Sequence, residues 1–460
     1  MAPRVNLVEE ITRRPRAEHQ RCENDSKAYA SGSSDVHDRC SRLPSHRRDG
    51  NVRVVSERVV ITGLGVVSPF GTSVDTFASA LLAGSSGIAP VRGFDVSQCA
   101  ARCAAAVDRF TASDWISPLK LRRLDVTSQY AVAIAREALD DAGVPYGGEP
   151  DDTIGVVLGS YTSGGAPTEE YLDKLFTQGP VNVPTLIFNA TVGNIAAGAT
   201  GLELKLRGPN VTVSQKEASG LLAIGHAVDL LQTGQARALV AGGVDALFPL
   251  FYRVHDRFRV LSHENGSPEG SRPFDTTRNG FVLGEGGFAM VLELESVARA
   301  RNATIFAEIL SLDRGGATTG LNQWPTSGAP IVRCMRRAIE GAGLDADAID
   351  VVYASANSTP VLDRIEAQAL AEVFGGRRTM ITSIKGAIGE SSASGAAAVV
   401  AAIACGRLGR VPPIAGLHTP DPACERLRLA ARAASAGPLA LVNSVASGGA
   451  IASLVLRAVA

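Results

Sequence analysis

The chain has 460 residues, enough for about two or three ordinary domains and a large buried core. A formal net charge of −1 gives no bulk attraction to nucleic acid or to an anionic membrane, and neither is expected as a partner. The hydrophobic content is 45% with only 5% aromatics, the composition of closely packed helices on a buried sheet, and no run of 18 apolar residues is present to cross a membrane.

Residues 1–57 stand apart: 20 of them are charged, against 71 of the remaining 403. Rich in Arg, Ser, Asp and His and short of large apolar side chains, this stretch reads as a disordered tail. It opens with no apolar segment of the kind that begins a secretory signal. Order begins at Arg58, where an apolar run bounded by Gly and Pro marks a buried strand and turn up to Gly71. Helical patterns follow at Ser73–Ala83 and Ser128–Ala142, with a strand at Thr153–Gly159 and helices at Thr168–Phe176 and Asn194–Leu202. A strand at Val211–Ser214, a helix at Leu221–Leu231 and strands at Ala238–Val244, Phe281–Leu292 and Thr304–Leu312 come next. The second half repeats the theme: helix Ala329–Ala342, strand Ile349–Ala354, helix Asp363–Phe374, strand Met380–Ser383, helix Gly395–Cys405 and closing strands Leu439–Ser444 and Ala452–Leu456. Strands alternating with helices in two rounds predict an α/β protein, and continuous apolar strands predict sheets covered on both faces.

Seven cysteines, at 22, 40, 99, 103, 334, 405 and 424, are an odd number. Cys99 and Cys103 form a lone C-x3-C with no His nearby, so no metal site and no cofactor are expected. Free thiols in a reducing cytoplasm are the expectation. His226 falls among apolar neighbours and reads as a core residue, and His255, His263 and His418 share no ligand-like spacing with Asp, Glu or Cys. Gly284–Gly287 has neither the strand–loop–helix setting nor the Lys of a phosphate loop and reads as a turn.

The most informative segment is Gly208–Gly220, GPNVTVSQKEASG, followed by an apolar helix. Strand, sharp turn and helix together lift one side chain to the mouth of a site and aim a helix N-terminus at it. Enzymes place Cys or Ser at such an elbow. This chain places Glu217 there.

Five landmarks in order carry a family resemblance: VITGLGVVSPFG (60–71), GPNVTV (208–213), VAGGVD (240–245), RPFD…GFVLGEGG (272–287) and NS…SGG…SLVL (443–456). From about Arg58 to Ala460 the chain resembles the β-ketoacyl synthases of the thiolase fold. The resemblance implies an α/β thiolase-like fold of five layers, αβαβα, in two similar halves, 58–300 and 301–460, and a dimer across a central strand. In active members an elbow Cys takes the acyl chain as a thioester, and two His stabilise the charge that develops as malonyl carrier protein loses carbon dioxide. All three positions differ here: the nucleophile falls on Glu217, the first His on Ser355 and the second on Glu390. Lys385 matches the family's lysine. Ser447 stands where the family's gating Phe would be, and Glu285 where the family keeps an acid of structural role. No catalytic residue is left intact, and the resemblance implies a chain inactive by itself.

Glu217 differs by one atom and a charge from the Gln found at this position in chain-length factors, the β partners of ketosynthases in type II polyketide synthases. The stretches SYTSGGA (160–166) and YASANSTPVLDRIEA (353–367) resemble that subgroup too. The resemblance implies a heterodimer with a catalytic ketosynthase, together enclosing a polyketide tunnel fed by acyl carrier protein. By region, Ala166, Thr168, Leu172, Phe176, Leu186, Ile187 and Phe188 are the candidates for its wall and the interface. Two other readings stay open: a malonyl carrier protein decarboxylase supplying the starter unit, and a free-standing acyl-binding relic. Glu217 itself is open to three roles: inert filler, ion-pair partner of Lys216 or Lys385, or base.

Overall fold

In the computed structural model residues 57–459 are described, so nearly all of the segment read as a tail lies outside the described residues. Eleven strands carry the architecture. The first half supplies β1 (Val59–Val67), β2 (Ile154–Gly159), β3 (Asn210–Val213), β4 (Ala238–Asp245) and β5 (Gly286–Leu294). The second supplies β6 (Ala307–Gly316), β7 (Val351–Tyr353), β8 (Met380–Thr382), β9 (Arg428–Leu429), β10 (Leu439–Val445) and β11 (Ala450–Ala458). The hydrogen-bonded order is β9-β8-β7-β10-β11-β6-β1-β5-β4-β2-β3.

Outward from the β1/β6 junction, both halves run first strand, last, penultimate, second, third, and the second half adds a sixth strand, β9, at its edge. In both, the first three neighbours pair antiparallel and the next two pairings are parallel. The halves meet through three residue pairs, Val59 to Ile61 against Ile309 to Ala307.

Side chains alternate along each strand, so each half-sheet has two faces to bury. Leu239 and Ala241 of β4 and Ala440 and Val442 of β10 enter one shared central core. Two helices fill that core, α5 (Ser219–Gln232) and α9 (Ser394–Arg407). Their Ala and Gly content allows close approach: a Cβ on Gly395 of α9 would sit 3.0 Å from the Leu221 Cβ of α5. On the outer face of the first half, Ala238 and Val240 meet α2 (Val126–Ala142). Asp125 caps this helix at Ser128 N, and Gly143, at φ +64°, ends it. On the outer face of the second half, Leu441 and Val455 meet α7 (Ala329–Gly341) and α8 (Pro360–Phe374). The result is five layers, helix, sheet, helix, sheet, helix.

Two expectations from sequence need correction. Phe281–Leu292 is not one strand: β5 starts at Gly286, and the preceding residues make isolated bridges to three segments, Leu261 with Phe281, Leu283 with Glu390 and Ala105 with Gly284. His226, read as a core residue, is only partly buried on α5. Three further helices lie near the elbow: α3 (Gly165–Gln178), α4 (Ile195–Leu204) and α6 (Pro249–Arg257). The periodicity did not reveal α6, although Pro249 occupies the first turn, where proline suits a helix.

Candidate functional site

The elbow follows β3. Lys216 takes φ +48°, an uncommon conformation for a residue with a side chain, and a tight turn over Lys216–Ala218 leads into α5. Ser219 fixes the turn, donating from its hydroxyl to the Lys216 carbonyl (2.6 Å) and accepting the Gln215 N–H (2.8 Å). From β10 the Ser444 hydroxyl donates to the Glu217 carbonyl (3.0 Å). Beneath the elbow, Gly159 ends β2 so close to α5 that a Cβ would lie 2.3 Å from the Ser219 carbonyl carbon.

The Glu217 carboxylate is held by one residue, Ser447. The Ser447 N–H donates to Oε2 (3.0 Å), and its hydroxyl reaches Oε1 (3.0 Å) and Oε2 (3.2 Å). Neither lysine considered from the sequence pairs with Glu217. Lys216 points to Asn322 Oδ1 and Ser447 Oγ, and Lys385 pairs with Glu390. Burial, with the nearby Glu390 charge adding to it, pushes the Glu217 carboxyl up to about 7.

The second half contributes a fully buried group. Lys385 Nζ lies 2.7 Å from Glu390 Oε2 and 2.9 Å from the Ser355 carbonyl. Asn357 Nδ2 donates to the same Glu390 oxygen at 2.7 Å. Ser355 is fully buried: its hydroxyl accepts the Val445 N–H (3.0 Å), and its own N–H donates to Glu366 (2.9 Å). Asn357 is aimed by Asp363, which accepts the N–H groups of Phe274, Asn357 and Ser358 and whose carboxyl burial pushes up to about 7.

Glu217 and Glu390 line one cavity with Tyr161, Asp245, Phe251, His255, Phe281 and Leu283. It holds about 20 Å³, room for one water molecule and not for an acyl chain. Asp245 organises the floor through five bonds, from Ser160 Oγ, from the N–H and hydroxyl of Thr162, and from the N–H groups of Tyr161 and Ser392. Glu285 is separate and accepts the N–H groups of Val107 and Leu247, both at 2.8 Å.

His255 corrects the sequence reading of scattered histidines, because α6 carries it to the cavity. Its Nδ1 donates to the Phe251 carbonyl at 2.8 Å, and burial holds the imidazole below its ordinary pKa. Neutral, with Nδ1 already donating, it presents Nε2 as an acceptor. It therefore offers the cavity an acceptor and not a donor. The cavity combines the carboxyl groups of Glu217, Asp245 and Glu390, a neutral imidazole acceptor and the side chains of Ser391 and Ser392. An oxyanion formed there would meet like charge, and no thiol is present to accept an acyl group.

The seven positions assigned to the tunnel and interface do not line this cavity. Ala166 and Thr168 lie partly buried in the first turns of α3, with the Thr168 hydroxyl bonded to the Gly164 carbonyl (2.7 Å). Leu172 and Phe176 are exposed further along α3, and Leu186, Ile187 and Phe188 form a single helical turn beside it. The Tyr171 and Phe188 rings lie 5.7 Å apart and join the two segments.

Known proteins share this fold. The β-ketoacyl synthase N-terminal domain matches residues 56–298, and the β-ketoacyl synthase C-terminal domain matches residues 312–418. The chain belongs to the β-ketoacyl synthase family. A 3-oxoacyl-[acyl-carrier-protein] synthase 2 of Coxiella burnetii is 35% identical over 373 residues, covering 80% of this chain and 90% of that one. Among solved structures, the ishigamide ketosynthase/chain length factor superposes with a TM-score of 0.81 at 29% identity, covering 88% of this chain and 100% of the other. A type II polyketide synthase acyl carrier protein in complex with its ketosynthase, bound to the hexaketide, gives a TM-score of 0.79 at 26% identity with the same coverage. Among the described residues no helix is long and apolar enough to cross a membrane.

Proposed function

We propose that this chain is a non-catalytic ketosynthase partner, a chain-length factor, which joins a catalytic ketosynthase and shapes the tunnel in which a polyketide grows. The observation that carries this reading is the rebuilt site. Glu217 and Glu390, read as standing for the reactive thiol and one imidazole, line a cavity of about 20 Å³, while Ser355, read as standing for the other imidazole, is fully buried and bonded to Lys385. Decarboxylation of malonyl carrier protein is disfavoured by the same reading, since neither imidazole donor that the reaction uses in the family is kept.

An exposed apolar face supports the partner role. Phe176 and Leu186 are each 81% exposed, and Leu172, Phe188 and Leu202 lie on the same group of short helices. β3 at the sheet edge leaves one row of backbone groups without a strand neighbour. A partner that covers this face and adds to this edge would bury a large apolar patch, as stable subunit interfaces do. Acyl carrier protein is the expected carrier of the growing chain, by analogy with the complex that this fold resembles.

The test is co-expression with a candidate ketosynthase, followed by mass analysis of carrier-bound products. The reading expects a 1:1 complex and products that depend on this chain. Replacing Ala166 or Thr168 by Phe should shorten the product. A stable homodimer indifferent to the ketosynthase would reject the reading.

A further inference from the structure

Helix α6 brings two rings to the elbow cavity. Phe251 and His255 lie one turn apart with ring centroids 4.3 Å apart, and both line the cavity. Tyr161, a third lining residue, meets Phe251 edge-on at 5.3 Å. Phe248, immediately before α6, is not among the lining residues. Its ring packs on Phe251 at 5.6 Å and reaches the head of α3, where a Cβ on Gly165 would lie 2.5 Å from Phe248 Cζ. Glu169 of α3 accepts the Leu250 N–H at 3.1 Å and ties the start of α6 to that helix. Phe248 and Phe251 therefore span from the elbow cavity to the head of α3, beside the tunnel candidates Ala166 and Thr168.

We propose that Phe248 and Phe251 are length-determining residues: they wall off the elbow cavity from the head of α3 and fill space that an acyl chain would otherwise take. The role in chain length rests on the reading of this chain as a ketosynthase partner; the wall itself does not. Tilted and edge-on contacts are the arrangements in which aromatic rings pack closely, so the wall is built from interlocked side chains. Glycine at 165 leaves the Phe248 ring room against α3. On the inner side only about 20 Å³ remains. An apolar void the size of a lost ring stays dry and takes an apolar guest. With both rings cut back, the void joins the elbow cavity to the head of α3 and admits a linear alkyl chain.

Two measurements test this. In the first, the isolated chain is titrated with hexanol, a neutral alkyl chain that the carboxylates of the cavity do not repel, while the His255 ring resonances are followed by NMR. Phe248→Ala with Phe251→Ala should bind at least about tenfold more tightly than the parent, since each methylene buried is worth roughly fourfold in affinity, and the His255 resonances should move. If that variant does not fold, Phe248→Leu with Phe251→Leu takes its place, with an expected gain of about fourfold. A folded variant that gains nothing, or that binds hexanol and leaves His255 unmoved, overturns the wall. In the second, the variant is co-expressed with the ketosynthase, and the carrier-bound products should lengthen by at least one extension unit. A complex whose products keep their length overturns the length role while the partner reading stands. Failure of the parent chain to form a complex rejects the partner reading and the length role with it, and the hexanol titration alone then decides the wall.

Discussion

Glu390 and Glu217 line one cavity and are stabilised by different means. Glu390, 2% exposed, has a cation at 2.7 Å and an amide donor at 2.7 Å. Glu217, at the elbow of the other half, has no cation against its carboxylate. It relies on the N–H and hydroxyl of one serine, and burial pushes its carboxyl up to about 7. A counter-ion lets a carboxylate remain in dry protein, whereas neutral donors alone let it drift toward the protonated form. The Glu390 side of the cavity is built around an ion pair, and the Glu217 side around a loop contact.

The largest expected effect breaks the first arrangement. Lys385→Met leaves Glu390 buried without its counter-ion and should lower unfolding stability by about 3–5 kcal/mol in urea titration. Adding Glu390→Gln should recover most of that loss. A loss below about 1 kcal/mol in the single variant would show that the ion pair does not hold this half of the site.

A smaller effect sharpens the contrast at Glu217. Its folded pKa of about 7 lies above the ordinary 4.5, so the folded state holds its proton more tightly than the unfolded chain. Below pH 4.5 both states are protonated and nothing is lost. As pH rises through 4.5 toward 7 the unfolded chain ionises first, and stability falls by about 2 kcal/mol for a partly buried group. Glu217→Gln should remove this fall, so the variant gains on the parent between pH 5 and pH 8 in denaturation curves. A constant difference across that range would mean that Glu217 does not titrate there.

Much of this site was legible because landmark motifs fix its positions. Glu217, Ser355, Lys385 and Glu390 fall at set distances from Gly and Pro signatures that survive in the chain. What those residues touch was not legible. Ser447 bonds a residue 230 positions away, a contact that exists only once β10 and the elbow meet. His255 went unread because α6 was not recognised, and a histidine without its helix has no direction. Phe281–Gly284 looked like strand because it is largely apolar, but its residues serve three separate bridges. Two rounds of strand and helix pointed to two repeated α/β halves with buried sheets, but not to the strand order, which depends on pairings between segments distant in the chain.

The smallest effect on stability concerns the exposed face. Phe176→Asp with Phe188→Asp should change the isolated chain by no more than about 0.5 kcal/mol per site, because neither ring is buried in it. In co-purification the same pair should abolish binding to a ketosynthase. Retained binding would move the interface elsewhere.

The measurement that bears most directly on the whole account is the intact mass of the purified chain after incubation, alone, with acyl- and malonyl-loaded carrier protein. The account expects the unmodified mass, with no carbon dioxide released above background. A mass increase by one acyl group, mapped to the peptide that contains Glu217, would contradict it.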